Sequence, residues 1–224
     1  MTDPTPLLDR NDLLWFRRKL RAWAKNHLRD FPWRHTTDPY AILVAECLLQ
    51  KTTAEAVAPV YTQFLAHYPD LPALLNADRG ALEALLAPLG LKFRAERLLS
   101  AATEIRDRHR GQVPDREADL LALTGVGSYT ARAILAVAFG RRAAVMDTNV
   151  ARILERFFGI RGERVKSRCK RLWAAADEAA PNRDVARWNL TLLDLGALVC
   201  TARSPRCEIC PLAKRCRWRI DLEA

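Results

Sequence analysis

No apolar run in this sequence lasts the eighteen or so residues that a bilayer span requires. Glu46, Arg132 and Asp194 interrupt the longest ones, and the opening Met-Thr-Asp-Pro-Thr-Pro has no basic n-region. A membrane span and a secretion signal are therefore not expected, and the protein is expected in the cytoplasm. No stretch alternates with period two for long enough to read as a strand, and no unit repeats at a fixed period. Gly and Pro are scattered between elements instead of clustered, so extended disorder is not expected away from the ends. What is present is a soluble globular composition, 50% apolar and 28% charged over 224 residues, enough for one or two domains.

Helical periodicity dominates. Leu13, Phe16, Leu20 and Trp23 mark an amphipathic helix over residues 9–27, which Phe31-Pro32-Trp33-Arg34 breaks. Asp38-Pro39 is an N-cap followed by proline at the first helical position, and the run from Tyr40 to Leu49 is apolar on every side, so that helix should be central. Thr52-Thr53-Ala54-Glu55 fits a capping box for the next. Further helices are expected over Leu82–Leu89, Phe93–Ile105, a short one from Pro114, then 131–139, 147–158, 172–180 and 185–199. The expectation is an all-α protein of about ten helices.

The formal net charge is +10 and the pI about 9.7. Residues 10–34 carry eight Arg or Lys against two acids, and residues 161–173, with Arg164 and Lys166 among them, carry six against one. A polyanion such as DNA or RNA would favour such segments through counterion release; a solvated basic surface is the plainer alternative.

Four local features bear on chemistry. Leu123 to Thr130 holds Gly125-Val126-Gly127-Ser128, a turn too tight for side chains that exposes backbone N–H groups able to hold a phosphate, or else a plain connector. Glu46 lies inside the otherwise apolar helix, where desolvation raises a carboxyl pKa as a general acid needs; a buried pair with an Arg is the alternative. Asp147 heads a helix and reads first as an N-cap. Cys200, Cys207, Cys210 and Cys216, spaced by six, two and five residues, can enclose a metal centre, zinc or iron–sulfur, or stand as reduced structural thiols. Cys47 and Cys169 fall outside that set, and Tyr129 alone reads as packing.

Together these pieces resemble the helix-hairpin-helix DNA glycosylases, the superfamily of endonuclease III and the adenine and thymine mismatch glycosylases. The resemblance runs from Phe31-Pro32-Trp33-Arg34 through Ala45-Glu46-Cys47-Leu48-Leu49-Gln50, the glycine turn, Val145-Met146-Asp147-Thr148-Asn149-Val150 and Asp194-Leu195-Gly196-Ala197 to Cys216. It implies two helical domains with a cleft between them: a six-helix barrel over residues 31–142, and a second domain formed by residues 1–30 and 143–224 with a cluster loop at about 200–216. It further implies a [4Fe-4S] cluster on the four cysteines, and a hairpin in which Gly125, Val126, Gly127, Ser128 and Thr130 grip DNA phosphates. Gln50 and Lys51, at the end of the Glu46 helix, become candidates to fill the gap left by a flipped nucleotide.

The family's aspartate falls on Asp147, where an ionised carboxylate would stabilise the cationic sugar or activate water. Glu46 and Tyr129 would hold the flipped base. Where bifunctional members have a lysine this chain has Tyr129, which cannot form a Schiff base, so a monofunctional glycosylase is expected. Gln50-Lys51-Thr52-Thr53-Ala54, the segment Pro88 to Glu96, and Trp188-Asn189-Leu190 are similar to the archaeal thymine mismatch enzymes, and with so few residues after the cysteine loop the C-terminal domain of adenine glycosylases is not expected. The resulting expectation is a nucleoid-associated monomer that removes thymine or uracil opposite guanine from double-stranded DNA. An adenine glycosylase acting on A:G or A:8-oxoG, and a non-catalytic iron–sulfur DNA-binding protein, are the alternatives.

Overall fold

The computed structural model describes residues 6–90 and 93–223; Leu91 and Lys92, within the 88–96 segment, and the first five residues lie outside them. Among the described residues there are twelve α-helices and no strand. In chain order they are α1 (Arg10–His27), α2 (Pro39–Leu49), α3 (Ala54–His67), α4 (Leu71–Leu75), α5 (Arg79–Leu86), α6 (Phe93–His109), α7 (Glu117–Leu121), α8 (Ser128–Ala138), α9 (Thr148–Phe158), α10 (Lys170–Ala179), α11 (Val185–Leu198) and α12 (Arg217–Glu223). None is long and apolar enough to cross a membrane. The chain divides into two compact units: Asp30–Arg141, and Met1–Arg29 together with Arg142–Ala224.

In the 30–141 unit, α2 is the centre. Asp38 accepts hydrogen bonds from the Tyr40 and Ala41 amides and Pro39 opens the first turn. Every residue from Tyr40 to Ala45 is then buried, as the unbroken apolar run predicts. Helix α2 packs against α3, α6 and most extensively α8. The α3 cap differs by one residue from the capping-box expectation: Thr53, not Thr52, receives the Ala56 amide. Thr52 is engaged elsewhere, accepting from the Arg94 guanidinium at 3.0 Å. Helix α8 begins at Ser128, three residues before the expected start. Helices α4 and α12 were not expected at all; a single turn carries too few residues to display a period, and α12 is largely exposed.

The second unit closes around aromatic rings on α1, α9 and α11. Phe16 lies 4.8 Å from Phe157, 5.0 Å from Phe158 and 5.8 Å from Trp188, ring centre to ring centre. Phe16 is fully buried, which contributes about 2–3 kcal/mol on the area scale. Gly159, at φ 68°, ends α9 in the left-handed conformation that favours glycine. Asp194 is fully buried on α11 and is matched by Arg29, whose Nε and backbone amide reach its two carboxylate oxygens at 2.8 and 2.9 Å. That double contact satisfies a charge that would otherwise be strongly destabilising.

Candidate active site

The glycine turn joins α7 to α8. Gly125 has φ +82°, open to glycine at little cost, and it packs beside the Arg97 side chain. Gly127 is the N-cap of α8 and brings no side chain to the helix end; it and Ser128 are exposed. The positive end of the α8 dipole therefore faces outward, as an anion site requires. Val126 and Thr130 are buried and anchor the turn, and Tyr129 is half-buried. Glu104 of α6 fixes the approach by accepting from the Thr124 amide and hydroxyl, both at 2.7 Å.

The other side of the turn is held by the C-terminal end of α2. Gln50 Nε2 donates to the Gly125 carbonyl at 2.9 Å. Glu46 stands four residues earlier, on the same helix face and about 6 Å back along the axis. Lys51, exposed, adopts φ 57°, rare for a side chain other than glycine. Arg94, 3% exposed, spans this end: it donates to the carbonyls of Leu48 and Gln50 and to Thr52 Oγ1, occupying acceptors that the helix end leaves open. So Arg94 ties the start of α6 to residues 48–52.

Glu46 keeps a strip of exposed surface, yet the protein packed around it removes much of its hydration, and this burial pushes its carboxyl up to about 8. It has no hydrogen-bond or ion-pair partner among the described residues, so the buried Glu–Arg pair weighed from sequence is not formed within them. At pH 7 Glu46 carries a proton that it can give up. Burial and the adjacent Glu46 push the Cys47 thiol up to about 12, opposed by Arg94 and Arg97; that describes an inert packing thiol.

In the other unit, Asp147 caps α9. Its Oδ1 accepts from the Asn149 and Val150 amides, both at 2.8 Å, and Oδ2 accepts from Asn149 Nδ2 at 2.9 Å. Three donors hold the carboxylate in one orientation. The incoming segment is fixed by Asn189, whose buried amide donates to the Ala143 carbonyl and accepts from the Val145 amide. A hydrogen-bonded chain continues beyond the cap: Asn149 Oδ1 accepts from Arg152, and Arg152 Nε donates to the carbonyl of Cys200. Asn149, Arg152 and Arg156 share one face of α9 at i, i+3, i+7, a polar stripe that the sequence displays but that sequence reasoning did not use. Gly196 permits this closeness, because a Cβ there would fall 2.5 Å from Asn149 Cβ. Gly196→Ala is expected to destabilise the fold by about 1–3 kcal/mol. It should also break the Asn149–Asp147 contact, seen as a lowered thermal midpoint with a slower reaction.

Cys200, Cys207, Cys210 and Cys216 line one hollow, ringed by Arg156, Arg206, Arg219 and Trp218. All four are unpaired as disulfides. No three His, Cys, Asp or Glu side chains among the described residues are set to hold a single metal ion. Four thiols around a hollow match instead a polynuclear centre, in which each corner iron takes one thiolate. Arg156 donates to Cys200 Sγ at 3.4 Å and to the Thr201 carbonyl at 2.8 Å, offsetting the negative charge that thiolates bring. Burial pushes the Cys210 thiol up to about 11.

A model of the HhH-GPD superfamily of base excision DNA repair proteins matches residues 44–175. The chain belongs to that superfamily. A second model, the iron–sulfur binding domain of endonuclease III, matches residues 200–216, and the cofactor on the four cysteines is a [4Fe-4S] cluster. This HhH-GPD chain is 38% identical over 191 residues to a thymine/uracil-DNA glycosylase of Methanothermobacter thermautotrophicus, covering 85% of this chain and 86% of that one. It is also 38% identical over 221 residues to an adenine DNA glycosylase of Mycobacterium tuberculosis, covering 98% of this chain and 70% of that one. Among solved structures it superposes on a thermostable thymine-DNA glycosylase with a TM-score of 0.90 at 34% identity, covering 94% of this chain and 98% of the other. When bound, the cluster cross-links the loop that carries its ligands. Cys210→Ser is expected to lose the iron–thiolate visible absorption and to lower the thermal midpoint, since metal binding and folding of such a loop are one equilibrium; absorption and unfolding of the purified variant check it.

Proposed function

We propose that this base excision DNA glycosylase removes thymine or uracil mispaired with guanine in duplex DNA, by hydrolysis and without cutting the strand. The observation that carries the reading is the likeness to thymine and thymine/uracil glycosylases over most of the length of both chains, at a TM-score of 0.90 for the solved one. Identity alone does not separate them from adenine enzymes, which reach the same 38%. The support comes from Arg94, which binds Gln50 and Thr52, and from Trp188-Asn189-Leu190, whose Asn189 sets the extended segment before Asp147.

In this reading the hairpin from Gly125 to Thr130 takes backbone phosphates. Asp147, a fixed anion, stabilises positive charge on the sugar as the base departs or orients the attacking water. Glu46 supplies a proton to the leaving base. Tyr129 lines the base site and offers no amine, so no Schiff base forms. Gln50, tied to Gly125, sets the turn, while Lys51 projects from the helix end toward the gap of the flipped nucleotide.

The test is a panel of duplexes carrying T:G, U:G, A:G and A:8-oxoG under single-turnover conditions, each read with and without alkali. Alkali-dependent breaks at T and U are expected; breaks only at A would install the adenine alternative, and breaks without alkali would refute the hydrolytic claim.

A further inference from the structure

Helix α1 carries a basic surface that none of the roles above employs. Arg17, Arg18, Arg21 and Lys25, with Asn182 and Arg183 from the α10–α11 loop, line an open hollow of about 600 Å3 whose wall contains no carboxylate. Adjoining hollows prolong it both ways. One shares Arg21, Lys25 and Arg183 and reaches Arg187, with Asp184 the only acid in its lining. The other shares Leu14 and Arg18 and reaches Arg215. From Leu14 to Lys25 the helix rises about 16 Å, which is the axial length of about five nucleotides of one strand.

Elsewhere several cations are paired: Arg79 with Glu83, Arg132 with Glu117, Arg141 with Asp115, Lys166 with Glu155. The 161–173 segment is thus partly compensated. Among the cations of the central hollow, Arg17 donates to the carbonyls of Glu178, Ala179 and Ala180 and so fastens α1 to the end of α10; at the two ends Arg187 donates to the Ala24 carbonyl and Arg215 pairs with Asp12. Arg18, Arg21, Lys25 and Arg183 are exposed and have no carboxylate in ion-pair reach among the described residues. Burial holds the Arg17 guanidinium below its ordinary range, with the nearby Arg142 and Arg21 adding to the effect and Glu178 opposing it. A surface lined by charges of one sign sets up a potential that attracts a polyanion.

We propose that the furrow along α1 binds a run of backbone phosphates of duplex DNA, in addition to the hairpin and regardless of any mispaired base. The proposal rests on the DNA-acting reading above, and it adds a surface suited to holding undamaged DNA during search. Arg18, Arg21 and Lys25 would each meet a phosphate as a point charge, and Arg183 would close the far wall.

The test uses the whole protein, an undamaged duplex of roughly thirty base pairs, and the slope of log Kobs against log salt. Arg18→Ala/Arg21→Ala/Lys25→Ala should reduce that slope by about 2–3. It should release base from a mismatched duplex at saturating enzyme at the wild-type rate. Arg18→Lys/Arg21→Lys should keep the slope, and Arg183→Glu alone should weaken binding without touching α1. A slope unchanged in the triple variant, or lost equally in the lysine variant, overturns the proposal. Wild-type protein with no salt-dependent duplex affinity would instead overturn the DNA reading itself.

Discussion

Asp147→Asn should lower the single-turnover rate of base release at least about a thousandfold while leaving the fold intact. The substitution separates the two roles of this residue. As a cap, asparagine is about as good as aspartate: one side-chain oxygen can still accept the Asn149 and Val150 amides that Asp147 Oδ1 takes at 2.8 Å. What it removes is the charge, and it sets an amide donor against Asn149 Nδ2, which now donates to Oδ2. A cap-only residue would give a variant with near-normal activity; a catalytic anion gives one that is folded, binds duplex and does not release base. Thermal unfolding, duplex affinity and excision rate, measured on one preparation, decide between them.

Glu46→Gln should slow base release by about a hundredfold to ten-thousandfold and flatten its pH profile. Burial holds the Glu46 carboxyl near 8, far above the ordinary 4.5. A proton donor works while protonated, so wild-type activity should be full below that value and fall as pH rises through about 8. The stability consequence has the same sign. Between about 4.5 and 8 the unfolded chain has released this proton and the folded chain retains it, so stability contributed by Glu46 declines as pH rises across that window. Glu46→Gln should therefore match wild type near pH 4 and exceed it in thermal midpoint near pH 9. An unaltered pH–rate profile in the variant would remove Glu46 from the proton-donating role.

The parts of this protein legible in the sequence are those fixed by short-range chemistry. Asp38-Pro39 and Asp147 announced their helices because a cap needs only neighbouring amides, and the glycine turn and the cysteine spacing are likewise local. The parts that were not legible depend on distant partners. Thr52 and Thr53 are equivalent as caps until Arg94, more than forty residues away, claims Thr52. Arg94 itself falls in an expected helix with nothing local to mark it as buried, yet it is buried and serves the end of α2 without any carboxylate. The Asn149–Arg152–Cys200 chain escaped notice for the same reason, since Cys200 is far along the chain from α9. The basic segment 10–34 was visible, but not its division into Arg17, which fastens two helices, and the unpaired cations beside it.

The most direct test of the central claim is to identify the free base released when the wild-type protein is incubated with an equal mixture of T:G and A:G duplexes. Free thymine, absent with Asp147→Asn, is the expected result; free adenine alone, or thymine released equally by both proteins, would contradict it.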